Sequence, residues 1–116
     1  MKTNTKFINL TPHSITLMGD GKVIRDFPPS GKVARVSSNV ELMDPIDGVP
    51  TVRTSHGRVE DLPIPINGVV YIVSSLVLSC ILGRNDVISP DTGPQSVVRN
   101  AKGHVIGVNR FQRSIK

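Results

Sequence analysis

The sequence has little of what several functional classes require. Its 116 residues include one cysteine, no tryptophan and only 3% aromatic residues. A single cysteine cannot form an internal disulfide, so we expect a reducing, cytoplasmic compartment. With so few aromatic residues the core must be built from valine, isoleucine and leucine, and the several stacking rings of single-strand nucleic-acid binders are missing. Nucleic acid is therefore a less favoured partner than a small anion.

Long apolar runs are also scarce. The amino-terminal segment lacks the apolar region of a secretory signal peptide. The longest apolar stretch, residues 68–83, contains three serines and is too short to span a membrane. We therefore expect no contact with a membrane. The chain is long enough to bury a core without metals or disulfides, which predicts a single domain over residues 1–116.

Catalytic and metal-binding signatures are weak. The three histidines, His13, His56 and His104, lie far apart with no cysteine or histidine at zinc spacing, so we expect no metal site. Asp91-Thr92-Gly93 is the tripeptide of aspartic proteases, where it precedes an Ile-Leu-Gly element, but here Ile81-Leu82-Gly83 comes first. We therefore expect neither an enzyme nor a cofactor, although a Ser–His–Asp triad assembled in space leaves no mark in a sequence.

The apolar stretch at residues 68–83 is the one around which the rest of the chain is organised. Residues 69–73 are β-branched and aromatic, which is typical of a buried strand. Ser74 or Ser75 then offers a helix N-cap, and residues 76–82 supply about two helical turns. Such a junction can present unpaired N–H groups to an anion. The alternative is a core strand with a packed connecting helix.

Many turns are indicated by nine prolines and ten glycines. Residues 19–21 predict a three-residue hairpin turn, and residues 100–103 predict a four-residue hairpin loop. Residues 39–50 are poorly patterned and predict a loop, followed by two short strands at 51–54 and 57–62. We therefore predict a mainly β, single compact domain, a small sandwich or a barrel-like sheet, with one short helix after the central strand.

Acidic residues are missing from the carboxy-terminal end. Residues 1–91 balance nine Lys and Arg against nine Asp and Glu, whereas residues 92–116 contain five basic residues and no acid. This distribution favours an anionic partner, the alternative being a solvated basic end. Arginines on strands can bind phosphate in bidentate fashion, or can pair with acids such as Glu60 and Asp86. The candidate ligand-binding residues are Arg35, Arg53, Ser74, Ser75, Asp91, Thr92, Gly93, Arg99, Arg110, Phe111 and Arg113.

Short motifs at both ends of the chain suggest a family. The opening NLTPH at residues 9–13 and the SPDTGP at residues 89–94 resemble an uncharacterised family of short phage and bacterial proteins. The resemblance spans nearly the whole chain. By analogy only, the chain is similar in its small size and its resemblance to phage proteins to the sponge proteins that phages use against CBASS and Thoeris defences. Those proteins sequester nucleotide-derived signals without cleaving them. No sponge motif matches residue by residue, so the analogy assigns no site.

The leading hypothesis from the sequence is a non-catalytic binder of a small phosphorylated or nucleotide-derived ligand, a homo-oligomeric phage sponge in the host cytoplasm. Arg99 and Arg110 would neutralise phosphate, Ser74, Ser75 and residues 91–93 would donate hydrogen bonds, and Phe111 would stack. The alternative is a structural or protein-interaction module, a virion accessory or host-factor inhibitor that uses the basic carboxy-terminal hairpin. A weaker alternative is nonspecific nucleic-acid binding.

Overall fold

The β-branched segment after Gly68 forms the strand at the centre of the fold. The structure, a computed structural model, describes residues 4–114. Its elements are β1 (Lys6–Asn9), β2 (Ile15–Gly19), β3 (Lys22–Phe27), β4 (Arg35–Ile46), β5 (Val49–Glu60), β6 (Val69–Ile72), α1 (Ser75–Ser79), β7 (Val87–Pro90), β8 (Val97–Arg99), β9 (Val105–Val108) and β10 (Phe111–Arg113). They form three sheets, with strand orders β1-β6-β7-β10, β3-β2-β9-β8 and β4-β5.

The sheet with the order β1-β6-β7-β10, here called the central sheet, has two faces that pack against different parts of the molecule. Strands β1, β6 and β7 run parallel and β10 is antiparallel to β7. Because alternate side chains on a strand point to opposite faces, Val69 and Tyr71 of β6 lie on one face and Val70 lies on the other. The first face carries the main core cluster, which consists of Leu10, Ala34, Tyr71, Val73, Val77, Leu78, Ile81 and Val87.

The second sheet begins with a tight hairpin. Asp20 and Gly21 both have positive φ angles, of 50° and 73°, as a type I′ turn requires. The predicted three-residue turn is therefore a two-residue turn, because Gly19 pairs with Lys22 and belongs to the strand. Strand β2 also pairs in parallel with β9, which ties the amino-terminal hairpin to the carboxy-terminal one.

The prediction of a mainly β domain with one short helix is confirmed. Strands make up 52% of the structure and helix 5%, and within residues 4–114 every sheet is open rather than closed on itself. The helix is shorter than predicted, since it ends at Ser79 with Cys80 as its C-cap. In the same range no helix is long and apolar enough to cross a membrane.

The prediction of a loop at residues 39–50 is wrong. Strands β4 and β5 instead form one antiparallel hairpin of two twelve-residue strands, here called the arm (residues 35–60). Asp47 and Gly48, with φ angles of 48° and 79°, form its turn. The two short strands predicted after this segment are parts of β5. The arm gives the domain a longest dimension of 58 Å and a radius of gyration of 17.0 Å, against about 13 Å for a compact chain of this length.

Candidate functional site

The NLTPH motif at the start of the chain makes a buried polar junction. The Asn9 side chain is only 2% exposed. Its Nδ2 donates to the carbonyl oxygens of His13 and Phe27 at 2.8 and 2.9 Å, and its Oδ1 accepts from the backbone N–H and the hydroxyl of Thr11. The asparagine amide has thereby used its full hydrogen-bonding capacity. The Asn9 side chain of this motif therefore holds β1 against the end of β3 and has no hydrogen-bonding group left for a ligand.

The SPDTGP motif makes a second junction. One Asp91 oxygen accepts from the Gly93 N–H at 2.9 Å, and the other accepts from Arg110 Nε at 2.6 Å. The Arg110 guanidinium, with help from the Gly93 N–H, holds the pKa of the Asp91 carboxyl below its usual range. Arg110, predicted to neutralise phosphate, therefore already has an anionic partner. The turn at residues 91–93 joins β7 to the residue that precedes β10.

The predicted helix N-terminal site is small. Ser74 caps α1 by accepting a hydrogen bond from the Val77 N–H at 3.2 Å. Ser75 lies beside the carboxy-terminal strand, where its hydroxyl accepts from Gln112 Nε2 at 3.4 Å. A helix of five residues adds little dipole to attract an anion.

The remaining predicted residues lie on separate surfaces. Arg99 donates to the Gly103 carbonyl oxygen at 2.8 Å within the β8–β9 hairpin, and shares a recess with Thr92. Arg53 stands opposite Glu41 on the arm, and Arg35 lies at the base of the arm. The predicted ligand-binding residues are thus distributed over the molecule, and their role in ligand binding remains a prediction. Phe111 and Arg113 alone meet in a sizeable cleft.

That cleft contains all three phenylalanines of the chain, and we call it the aromatic cleft. Phe27 packs edge-on against Phe7 and Phe111, with ring centroids 5.3 and 5.4 Å apart. The cleft lies between the central and second sheets and has a volume of about 650 Å³. It is lined by Thr5, Phe7, Leu17, Ile24, Arg25, Phe27, Val70, Asn85, Ile88, Phe111 and Arg113. Phe111, predicted to stack on a base, is therefore half-buried against another ring.

Two arginines make the aromatic cleft basic. The Arg25 guanidinium carbon lies 4.9 Å from the ring centroids of both Phe7 and Phe27, a cation–π arrangement that holds the charge at the wall of the cleft. Arg113 lies on the same face of β10 as Phe111, two residues away. The ion pairs within residues 4–114 are Arg84–Asp86 and Arg110–Asp91. Neither Arg25 nor Arg113 therefore forms an ion pair with a carboxylate of the described chain.

The arm has one apolar and one polar face. The cross-strand pairs Val40–Thr54 and Leu42–Val52 share one face, because directly paired residues point the same way. Exposure on that face is 65% for Val40, 84% for Leu42 and 53% for Val52. The opposite face carries the pairs Asn39–Ser55, Glu41–Arg53 and Met43–Thr51. Ile46 and Val49, also exposed, flank the turn.

The outer half of the arm is acidic. Residues 40–53 contain Glu41, Asp44 and Asp47 against the single Arg53. The base of the arm, in contrast, is anchored, because Val36 and Val59 pack against the main core cluster. Both outer edges of the arm are free of further strands in the described chain, since its sheet has only two strands. The arm therefore presents an apolar face, an acidic tip and open strand edges together.

Sequence reasoning missed both the arm and the partners of Phe111. A signal for the arm was available, since an Asp-Gly pair between β-branched residues is a strong hairpin indicator. The meeting of Phe7, Arg25 and Phe27 with Phe111 had no local signal, because these residues come from three strands far apart in the chain. No cluster of three or more His, Cys, Asp or Glu side chains placed to hold a metal occurs in residues 4–114.

Comparison with protein-family models, with curated proteins and with solved structures gave no match.

Proposed function

We propose that this chain is a non-catalytic protein-interaction module and that the arm is its docking element. The observation that carries the proposal is the apolar face of the arm, on which Leu42 is 84% exposed and is flanked by Val40 and Val52. A partner that covers these side chains would remove them from water, and burying each one fully is worth about 1.5–3 kcal/mol.

The arm is a two-stranded hairpin that no other strand of the described chain joins. A two-stranded ribbon without a covering element is marginally stable in water. A long apolar strand pair with open edges also invites uncontrolled pairing, which proteins usually prevent with charges, bulges or a cover. The arm has a register shift near each end and an acidic tip, but its apolar face is bare. Contiguous exposed apolar surface of this kind marks interaction sites.

The interaction element in this proposal differs from the basic carboxy-terminal hairpin expected from the sequence. Strands β8 and β9 form a short hairpin in which Arg99 is hydrogen-bonded to the loop carbonyl of Gly103. That hairpin is part of the second sheet, in which β9 pairs with β2 at Val108 and Leu17. The arm presents a longer and more apolar surface, which supports its role as the docking element.

The test is photo-crosslinking from the apolar face in the cells that express the chain. A photoreactive amino acid replaces Leu42 in one variant and Leu82 in a control variant. Leu82 is also exposed, at 75%, but lies on the body after α1. We expect discrete protein adducts from position 42 that are absent from position 82. Adducts of equal yield from both positions, or none from position 42, would refute the proposal.

A matched pair of substitutions quantifies the interaction once an adduct is identified. Leu42→Asp places a charge in the centre of the apolar face, and Leu82→Asp makes the same change on the body. We expect the first to weaken binding by about tenfold or more, as central interface residues do, and the second to leave binding unchanged. Circular dichroism of both variants checks that the fold is intact.

A second candidate function is binding of a small phosphorylated or nucleotide-derived ligand in the aromatic cleft. The observation in favour is that two arginines without a carboxylate partner in the described chain, Arg25 and Arg113, flank the phenylalanine rings of the cleft. Arginine binds phosphate through a planar fork, and an aromatic ring offers a surface for a base. The sponge function expected from the sequence would then reside in this cleft.

Calorimetric titration with cyclic oligonucleotides and ADP-ribose isomers tests the second candidate. We expect binding that is lost in Arg113→Glu and retained in Lys102→Glu, which makes the same charge reversal at the tip of the β8–β9 hairpin. Intact ligand recovered after heat denaturation would support sequestration, whereas degraded ligand would indicate an enzyme. An absence of heat across the whole panel would contradict this candidate and leave the arm proposal unaffected.

A further inference from the structure

We infer that the partner of the arm is a second copy of this chain, whose aromatic cleft receives the arm tip. This inference rests on the proposed function of the arm and names its partner. The arm is a projecting, largely apolar ribbon, and the cleft is a concave surface lined by phenylalanine, isoleucine, leucine and valine side chains. Each is an apolar surface of the same molecule that no other described element covers.

The charges of the two surfaces are complementary. Residues 40–53 of the arm carry three acids and one arginine. The cleft carries Arg25 and Arg113, and no Asp or Glu lines it. Opposite charges at the rim of an apolar contact guide association and select the partner. Two arms stacked tip to tip on their apolar faces would instead bring Asp44 and Asp47 near their own copies, and like charges opposed in this way are unfavourable.

An arm and the cleft of the same copy lie on opposite sides of the central sheet. Val36 and Val59 at the arm base pack against the main core cluster, which includes Tyr71 on one face of that sheet. Val70 of β6 and its partner Phe7 on β1 point to the other face, where both line the cleft. No residue of the arm lines the cleft. The arm of one copy therefore does not fill its own cleft and is free to enter the cleft of another copy.

Two assemblies satisfy a contact between the arm of one copy and the cleft of another. Two copies that insert their arms into each other's clefts form a twofold dimer, whereas copies whose arm and cleft meet different neighbours form a ring or a filament. The homo-oligomer expected from the sequence is, in this inference, an assembly of copies joined by their arms.

The experiment uses the purified full chain with the photoreactive amino acid at position 42, followed by mass spectrometry of the adducts. The expected result is an intermolecular adduct to peptides that contain Phe7, Ile24 or Phe111. An adduct between two arms would overturn the inference in favour of an arm-to-arm dimer. A chain that is monomeric by light scattering and forms no adduct would also overturn it. Adducts to another protein in cells, without self-adducts, would leave the arm as a docking element and refute only the second copy as its partner.

Charge reversal provides an independent test that does not rely on crosslinking. Asp44→Lys on the arm tip and Arg113→Glu in the cleft should each weaken self-association, by about tenfold or more. The doubly substituted chain should recover most of it, because the reversed charges again oppose each other. Lys102→Glu is the matched control and should associate like the unsubstituted chain. Failure of either single variant to weaken association, or of the double variant to recover it, would contradict arm-to-cleft docking.

Discussion

The body and the arm of this protein are made from the same residue types but are stabilised in different ways. In the body, Leu10, Tyr71 and Val87 are almost completely removed from water and Asn9 is fully hydrogen-bonded. In the arm, Val40, Leu42 and Val52 have similar side chains, yet more than half of each is exposed. The difference shows that an apolar residue stabilises the fold only where another element covers it. Where none does, it is available to a partner.

The largest expected difference in stability between the body and the arm comes from replacing one leucine by alanine in each region. Leu10 is 2% exposed in the main core cluster, so Leu10→Ala leaves a cavity and should lower the free energy of unfolding by about 2–5 kcal/mol. Leu42→Ala on the arm removes the same atoms from a solvated site and should change the free energy of unfolding by less than about 0.5 kcal/mol. Urea denaturation measures both. Equal losses would mean that the arm is part of the cooperative core.

Replacing one asparagine by alanine in each region should show a smaller difference in stability. Asn9→Ala removes the donor to the Phe27 carbonyl oxygen and the acceptor of the Thr11 N–H, while the His13 carbonyl oxygen keeps its bond from the Thr11 hydroxyl. The substitution should cost about 1–3 kcal/mol of stability. Asn39→Ala, on the exposed polar face of the arm, should cost less than about 0.5 kcal/mol. Thermal denaturation of both variants is the measurement. A neutral Asn9→Ala would show that the junction does not stabilise the body.

Acid should act on the body through two aspartates. The Arg84 guanidinium lowers the pKa of Asp86, and Arg110 lowers that of Asp91. Because the folded pKa values lie below the ordinary value of about 4, the two carboxylates stabilise the fold fully above that pH. Their contribution is then lost as the pH falls through the lower folded values. Denaturation midpoints measured from pH 6 down to pH 2 should show this decline.

The source of the acid sensitivity can be checked by substitution. A chain carrying both Asp86→Asn and Asp91→Asn should be less stable near neutral pH and should lose less stability in acid. Asp44→Asn, which removes a carboxylate with no ion pair in the described chain, is the control and should follow the unsubstituted curve. An unchanged decline in the double variant would place the acid-sensitive groups elsewhere.

Removing most of the arm should have little effect on the stability of the body. Replacing residues 40–54 by Asp-Gly joins Asn39 to Ser55, which already pair across the hairpin, through a two-residue turn. We expect the free energy of unfolding of the body to change by less than about 1 kcal/mol, because Val36 and Val59 keep their core contacts. Self-association, measured by light scattering, should be lost. A body that no longer folds would show that the arm is required for folding.

Much of the fold was predictable wherever a strong local pattern and a turn coincide. The β-branched run at residues 69–73, the hairpin at residues 15–27 and the short helix after Ser74 all follow from periodicity, turn residues and capping. The same local patterns wrongly predicted a loop for residues 39–50. Alternation there is interrupted by Asp44-Pro45 and a register shift, so the period-two pattern fades although the strand continues.

The candidate site depends on contacts between residues that are far apart in the sequence. Phe111 and Arg113 were identified from the basic carboxy-terminal end, but their neighbours Phe7, Arg25 and Phe27 were not. Arg110 was predicted to bind phosphate and instead pairs with Asp91. Composition and spacing show that arginines and rings are present. They do not show which residues distant in the chain lie beside them.

By itself, the sequence determined the mainly β class with one short helix, the valine- and isoleucine-rich core and the accumulation of positive charge after residue 91. Only the tertiary structure decided that residues 35–60 extend from the body as an arm and that three phenylalanines meet in one cleft. The physical reason is that a strand's N–H and C=O groups pair with a strand remote in sequence. Only after that register is set does each side chain acquire a face, a neighbour and an exposure to water.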